Sequence, residues 1–456
     1  MTKENSFIFK TCSYEPENQT LHLKYGYSSG HSFTEIISFP GAKKTFSCEE
    51  HKALDKLTKA LHLAAGISYY KAYCPANIIV ENQQLSQQEA DFFYKFYLMG
   101  LGEFSVENDL DLQAIINFPV AAKNAPDPSR LTLPEMTVVP IGGGKDSLVS
   151  LEILKSEILK NDGQEGEINF RPIAINAGPP ILEVIESAGC PDPILIRRKI
   201  DPDLFQLNDQ GAYNGHVPIT GILSFIMTFA AVLYGYDTVV MSNEQSANEG
   251  NMMKNGLAIN HQYSKSQEFE RDFSHLMHQH ILTGFRYFSL LRPLSETGIA
   301  ALFARNPKYF SSFKSCNRNF HIDEGERKYG WCCDCPKCRF VFLALAPFIG
   351  KARMLKIFGT DMLNDRNQMS GFQELLGLKG HKPFECVGEI KECRLLLKSL
   401  ALMPEWQDDL LIIHLAPQIE EAGLSLQALT DQALQKYPDH NLPDEFERML
   451  DEFIGS

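Results

Sequence analysis

Pro140-Ile141-Gly142-Gly143-Gly144-Lys145-Asp146-Ser147 is the stretch whose reading decides the fold. It follows an apolar run, Met136-Thr137-Val138-Val139. It precedes a helical pattern with Leu148, Leu151, Leu154 and Ile158 on one face. Strand, glycine turn and helix in that order make a phosphate cradle. Glycines let successive backbone N–H groups converge on an anion, and the helix N-terminus adds its positive dipole end. Lys145 offers a charge, Asp146 can hold Mg²⁺, and Ser147 can donate a hydroxyl. The string fits neither G-x-x-x-x-G-K-[ST], because Asp146 follows Lys145, nor G-x-G-x-x-G, because Ser147 stands where the last glycine belongs.

Outward from the cradle, residues 131 to 349 alternate short apolar runs with helical patterns. Pro172-Ile173-Ala174-Ile175-Asn176, Pro193-Ile194-Leu195-Ile196 and Thr238-Val239-Val240-Met241 read as strands, and Ile219 to Tyr234 as an apolar helix. This alternation predicts an α/β fold with a parallel sheet covered on both faces. Ligands of such sheets sit beyond the carboxyl ends of the strands, where Gly142–Ser147 and Ser242-Asn243-Glu244-Gln245 both fall. Residues 1 to 130 read as a separate α+β domain. Leu21, Leu23, Tyr25 and Tyr27 alternate with polar residues, Phe33, Ile37 and Phe39 suggest a partner strand, and Leu54, Leu57, Leu61 and Ala64 mark a helix. Ser86-Gln87-Gln88-Glu89 is a capping box that opens another helix, with Phe93, Tyr97 and Leu101 on its buried side. Asn124-Ala125-Pro126-Asp127-Pro128-Ser129 reads as the boundary, and residues 350 to 456 as a helical C-terminal region.

The 456 residues suffice for two or three domains, and 44% hydrophobic with 22% charged residues is an ordinary globular balance. A net charge of −14 disfavours a nucleic-acid partner. Ile219 to Leu233 is the longest apolar run and is too short to span a membrane. The N-terminus lacks a signal-peptide pattern, so a cytoplasmic location is expected. The 11 cysteines should then be reduced or metal-bound. Cys332, Cys335 and Cys338 form C-x-x-C-x-x-C, and Cys316 lies 16 residues upstream. Four thiolates suit a closed, structural Zn²⁺ site. Cys333 could substitute as a ligand, and an iron–sulfur cluster or buried free thiols would use the same spacing.

The cradle resembles the S-G-G-x-D-S signature of the PP-loop ATP pyrophosphatases, the HUP-like nucleotide domains, with Gly142 in place of the serine. That resemblance implies cleavage of ATP to AMP and pyrophosphate, which activates a substrate oxygen. With the cysteines behind it, the domain is similar to the zinc-containing 7-cyano-7-deazaguanine synthases. The Asn214-Gly215-His216-Val217-Pro218 turn and Arg292-Pro293-Leu294-Ser295 have counterparts there. Those synthases are much shorter chains. A fuller resemblance rests on Ser242-Asn243-Glu244-Gln245-Ser246-Ala247, His261-Gln262-Tyr263-Ser264-Lys265-Ser266, Ser315-Cys316-Asn317-Arg318-Asn319, Cys335-Pro336-Lys337-Cys338-Arg339-Phe340-Val341-Phe342 and Gly380-His381-Lys382-Pro383-Phe384-Glu385-Cys386. These look like the UDP-N-acetylmuramoyl-L-alanyl-L-glutamate epimerases. The resemblance implies ATP and Mg²⁺ as cofactors and a UDP-muramoyl dipeptide as substrate. Its terminal L-glutamate would be inverted for peptidoglycan.

The chemistry is coherent from below. The α-hydrogen beside a carboxylate is a poor acid, because its removal builds a second negative charge. Adenylation removes the first, and a positioned base can then take the proton. Gly142, Gly143, Gly144, Lys145, Asp146 and Ser147 are the expected ATP residues, with Mg²⁺ at Asp146. Glu244, His261, Tyr263 and Lys265 are candidates for the base, and Glu244 could equally be a helix cap. His381 and Lys382 could hold the substrate, as could Arg197-Arg198-Lys199 if that run is more than a solvated face. Cys386 could donate a proton, but nothing local marks it as a thiolate. An adenylating ligase and a nucleotide-binding sensor without turnover are the rival readings.

Overall fold

Strand residues in this chain point alternately into two different cores, and that alternation defines the architecture. The computed structural model describes residues 4–81, 83–122, 127–160, 169–190, 192–320, 330–380 and 382–456. Nine strands share one sheet: β1 (Ser6–Glu15), β2 (Thr20–Tyr27), β3 (Ser32–Ser38), β4 (Asn77–Val80), β5 (Thr137–Pro140), β6 (Phe170–Ile175), β7 (Ile194–Lys199), β8 (Thr238–Met241) and β11 (Arg286–Ser289). Their order is β11-β8-β5-β6-β7-β3-β2-β1-β4. Two short strands, β9 (Met252–Lys254) and β10 (Leu257–Ile259), form a separate hairpin. The five strands from β11 to β7 are mutually parallel, β3, β2 and β1 continue antiparallel, and β4 pairs parallel with β1.

In the parallel half both faces are covered, so the strand centres are apolar while charged residues fall near the ends, as Arg197, Arg198 and Lys199 do in β7. Val138, Ile173, Val239 and Tyr287 face one core, which also holds the helices Cys48–Tyr70 and Ile219–Tyr234. Val139, Ala174, Val240 and Phe288 face the other, with the helices Lys145–Lys160, Pro179–Ala188, Glu296–Ala304 and Pro336–Ile349. The helix Ile219–Tyr234 has the bounds read from its apolar run, and no described helix is long and apolar enough to cross a membrane. Among the described residues every regular element after Ser289 is helical, and those helices extend the second core.

The predicted β2–β3 hairpin is present, with Leu21 opposite Ile37 and Tyr25 opposite Phe33. So is the capping box at Ser86 and Glu89. Strand β1 was not anticipated, because Lys10, Thr11, Ser13 and Glu15 dilute its apolar signal. The strands on either side of residue 130 make one sheet, joined where β3 pairs with β7 through Ile37 and Arg198. Residues 124–126 of the expected boundary lie outside the described residues.

That seam carries a buried ion pair. Glu35 of β3 is fully buried and accepts two bonds from Arg198 of β7, Nε to Oε1 at 2.7 Å and Nη2 to Oε2 at 3.0 Å. Ser68 of the helix Cys48–Tyr70 accepts a third guanidinium bond at 3.0 Å. Arg198 is therefore structural, while Arg197 and Lys199 point to solvent. Removing one partner strands the other charge in a dry site, which costs about 3–5 kcal/mol. Arg198→Met should lose about that much in chemical denaturation. The double variant Glu35→Leu/Arg198→Met should recover most of it. A single-variant loss below about 1 kcal/mol would refute the seam as a dry ion pair.

Candidate active site

The strand order places a crevice between β5 and β8. The chain runs from β5 outward through β6 and β7, then returns to β8 and continues to β11 on the opposite side. Such a reversal opens a crevice beyond the carboxyl ends of the strands. Gly142–Ser147 leaves β5 at this point, and the Gln245–Asn248 turn follows β8. Gly143 has φ +85°, the left-handed region in which a side chain would be strained. A Cβ on Gly142 would meet nothing within 4 Å, so that side of the loop is open. A Cβ on Gly144 would approach Ser315 Oγ to 3.0 Å. Lys314 N donates to Gly143 O at 2.8 Å, so the chain just before Cys316 lies against the loop.

Lys145 turns inward from the first turn of the helix. Its ammonium is buried and ion-paired with Asp146 and Glu296, the latter at the start of the helix Glu296–Ala304. Burial acts against the charge, but the two carboxylates outweigh it and raise the Lys145 pKa. Glu296 is lifted to about 7, chiefly by burial and against the pull of Lys145. Asp146 is held low: burial opposes its charge, but Lys145, Lys337 and Lys265 together win. Its side chain keeps 26% of its surface, so the carboxylate is the open member of the trio.

Beyond β8 the chain is pinned by side chains to backbone. Arg292 is fully buried, and its guanidinium donates to Glu244 O at 2.6 Å and Lys265 O at 2.5 Å. It also reaches Glu270 Oε2 and Ser289 Oγ, each at 3.3 Å. Asn251 Oδ1 accepts His261 N at 2.9 Å, and Asn260 Nδ2 donates to Ala247 O at 2.8 Å. The locked segment presents His261 and Lys265 to Cys386. Lys265 Nζ is 3.1 Å from Cys386 Sγ, and His261 is near enough to the same thiol to lower its pKa. His261 Nδ1 is bonded to Glu103, and the His216 ring lies against the His261 ring at 4.4 Å between centroids. One Glu103 oxygen and a ring nitrogen from each histidine lie within 4.8 Å of one another.

These contacts set the charges. Burial pushes the Cys386 thiol up, but Lys265, His261 and Lys337 overcome it and bring the pKa down to about 6. Burial also disfavours the His261 imidazolium, yet Cys386 and Glu103 raise it to about 9. His216 is pushed down to about 3 by burial and by its cationic neighbours, His261 first. Both shifts favour a thiolate beside an imidazolium.

The cysteine cluster sits behind the glycine loop. Single sulfurs of Cys316, Cys332, Cys335 and Cys338 lie within 4.8 Å of one another, with Cys332 and Cys338 3.7 Å apart. Zn–S bonds of about 2.3 Å put tetrahedral sulfurs about 3.8 Å apart, so the donor set fits zinc. Cys335 also caps the helix Pro336–Ile349. Cys333 does not join them: its thiol turns to the Phe358 carbonyl at 3.3 Å, from a backbone with φ +53°. Lys337, between two of the four, reaches the Cys386 carbonyl.

Of the residues named from sequence, Gly142–Ser147, Glu244, His261 and Lys265 converge on this crevice. Tyr263 stands apart: it is buried, its ring packs on Phe269 at 5.9 Å, and its hydroxyl has no partner among the described residues. Burial raises its pKa far above the usual phenol range. Glu244 precedes the Gln245–Asn248 turn but makes no side-chain cap. Lys382 pairs with Glu249 at 2.8 Å, and His381 lies outside the described residues. Sequence reasoning missed Glu103, Glu296, Lys337 and the role of Arg292. Each is a lone polar residue in an ordinary local pattern, and only the fold gathers them.

Two family models match the chain. One, described as MurL N-terminal domain, covers residues 1–290, and the other, MurL C-terminal domain, covers 312–430. A protein of Xanthomonas oryzae named UDP-N-acetyl-alpha-D-muramoyl-L-alanyl-L-glutamate epimerase is 40% identical over 93% of this chain and 93% of its own length. Proteins of the same name from a Micromonospora strain and from Salinispora tropica are 38% and 37% identical, covering 92% and 93% of this chain and 91% of their own lengths. No solved structure matches. With both domain models in sequence order and relatives aligned over more than nine-tenths of its length, the chain belongs to the MurL family of epimerases, which are isomerases.

Proposed function

We propose that this protein inverts the terminal L-glutamate of UDP-N-acetyl-alpha-D-muramoyl-L-alanyl-L-glutamate for peptidoglycan synthesis, and that it first adenylates the α-carboxylate with ATP. The relatives' common name supports the substrate. The observation that carries the ATP reading is the glycine loop at the strand-order reversal, open above Gly142 and followed by a helix N-terminus. Backbone N–H groups there suit phosphate oxygens. Only the α-carboxyl is attached to the carbon that inverts, so activating it acidifies the right hydrogen.

In this reading Lys145 positions Asp146 rather than meeting phosphate, since its ammonium is already held by Asp146 and Glu296. Asp146 is the partly open carboxylate that would hold Mg²⁺, which when bound shields polyphosphate charge. Lys265 and Lys337 supply positive charge around it. The four cysteines would hold one structural zinc, keeping the Lys314–Cys316 segment against Gly143 and Gly144.

Incubation in D₂O with ATP, Mg²⁺ and the UDP-muramoyl dipeptide should yield AMP, pyrophosphate and the UDP-muramoyl dipeptide ending in a D-glutamyl residue with deuterium at Cα. AMP without inversion would indicate a ligase instead, and ADP as the only nucleotide product would exclude adenylation. Asp146→Asn should lower AMP release at least about 100-fold while the thermal melting curve is retained. Undiminished AMP release would remove Asp146 from the site. Metal analysis should find about one zinc per chain. Cys316→Ser should lose that zinc and weaken ATP binding together, and a variant that loses zinc but binds ATP normally would uncouple the cluster from the loop.

A further inference from the structure

The segment that carries Cys386 is pinned at both flanks. Lys382 pairs with Glu249 beyond β8, and Glu385 is bonded to Asn317 beside the cysteine cluster. Lys337 holds the Cys386 carbonyl, and a Cβ on Gly388 would strike the Phe340 ring at 2.6 Å. Cys386 Sγ thus lies against Lys265 Nζ at 3.1 Å and in the field of His261, whose Nδ1 is held by Glu103. Thiol, imidazole and carboxylate in series form the arrangement that keeps a nucleophile or base ionised and its partner oriented.

We propose that Cys386 is the base that takes the α-hydrogen of the activated glutamyl group, with Lys265 and the His261–Glu103 pair holding it as a thiolate. This rests on the adenylation reading above, because an unactivated glutamate would be too weak an acid. The Cα–H bond breaks, the proton passes to Sγ, and the electron pair enters the activated carbonyl as an enolate. Lys265, in contact with Sγ, is the cation nearest that developing charge. Inversion is completed by a solvent-exchangeable Brønsted acid on the opposite face of the enolate, and water then cleaves the acyl-adenylate to the free carboxylate and AMP.

Comparison with the other thiols supports the assignment. Burial raises Cys12 and Cys74 to about 11 and about 12, where each has a single lysine to offset it. Burial likewise raises Cys393 well above the usual thiol range. Cys386 alone among these meets Lys265, His261 and Lys337 together. It is also half-buried, whereas Cys74 and Cys393 are enclosed.

The test separates adenylation from proton removal in the full-length, zinc-loaded protein. Wild type should catalyse ATP–pyrophosphate exchange with the UDP-muramoyl dipeptide and place deuterium at Cα in D₂O. Cys386→Ala should continue the ATP–pyrophosphate exchange but lose deuterium incorporation and D-glutamate formation by at least about 100-fold. Incorporation within tenfold of wild type would overturn the proposal. A second measurement covers a variant that fails to fold. Iodoacetamide should alkylate Cys386 in the native enzyme with a midpoint near pH 6, set by the charged groups on Lys265, His261 and Lys337. Incorporation should fall in step with that alkylation. An alkaline midpoint, or full incorporation after complete alkylation, would also overturn it. Wild type that incorporates deuterium with ATP omitted would refute adenylation, and with it the activated carbonyl on which this role for Cys386 rests, an outcome distinct from loss of incorporation in Cys386→Ala alone.

Discussion

An ammonium buried between two carboxylates organises this site. Lys145 could not stay charged in the interior without partners, because desolvating an unpaired ion costs several kcal/mol. Its bonds to Asp146 and Glu296 therefore fix the first turn after the glycine loop against the start of the helix Glu296–Ala304. Four residues before Glu296, Arg292 holds the backbone carbonyls of Glu244 and Lys265. Lys265 in turn meets Cys386. Two sets of charge-assisted bonds, joined by the short backbone stretch from Arg292 to Glu296, thus connect the glycine loop to the thiol.

The whole chain carries −14, and in this crevice Lys145, Arg292 and His261 are each matched by carboxylates, Asp146 and Glu296, Glu270, and Glu103, while Lys265 and Lys337 lie around Asp146. Net charge and local field are separate properties, and a cleft with low-dielectric walls focuses the local one. The acidic surplus argues against a general polyanion surface, while the open glycine loop at a helix N-terminus leaves a place for a small, multiply charged anion. Both the nucleotide and the muramoyl dipeptide of the proposed reaction have that character.

The parts legible in the sequence are those whose chemistry is local. The glycine run needs its neighbours only to make a turn, and C-x-x-C-x-x-C brings three sulfurs together on one short segment. The apolar helix Ile219–Tyr234 and strand β8 were readable because composition alone sets them apart. The seam between β3 and β7 was not, since Glu35 and Arg198 find each other across 163 residues. Cys386 shows the same limit at the site. Its segment was singled out, but a thiolate is made by surroundings, and those come from Lys265, His261 and Lys337, far away in sequence. Tyr263 shows the converse, because a polar neighbourhood in sequence did not stop its ring from entering the core.

The cysteine cluster gains its importance from what it abuts rather than from chemistry of its own. On one side, Lys314 and Ser315, which lead into Cys316, press on Gly143 and Gly144. On the other, Lys337, between Cys335 and Cys338, grips the Cys386 carbonyl. The same four sulfurs therefore stand behind both the glycine loop and the thiol. A shift of the cluster would displace both at once, so the distance between an activated carboxyl and its base would be set from outside the crevice. Proton removal depends steeply on that distance, because a misplacement of about 1 Å can cost about 100-fold in rate. In the proposed reaction, a cluster that touches no substrate would thus be a physical means of keeping two chemical steps in register.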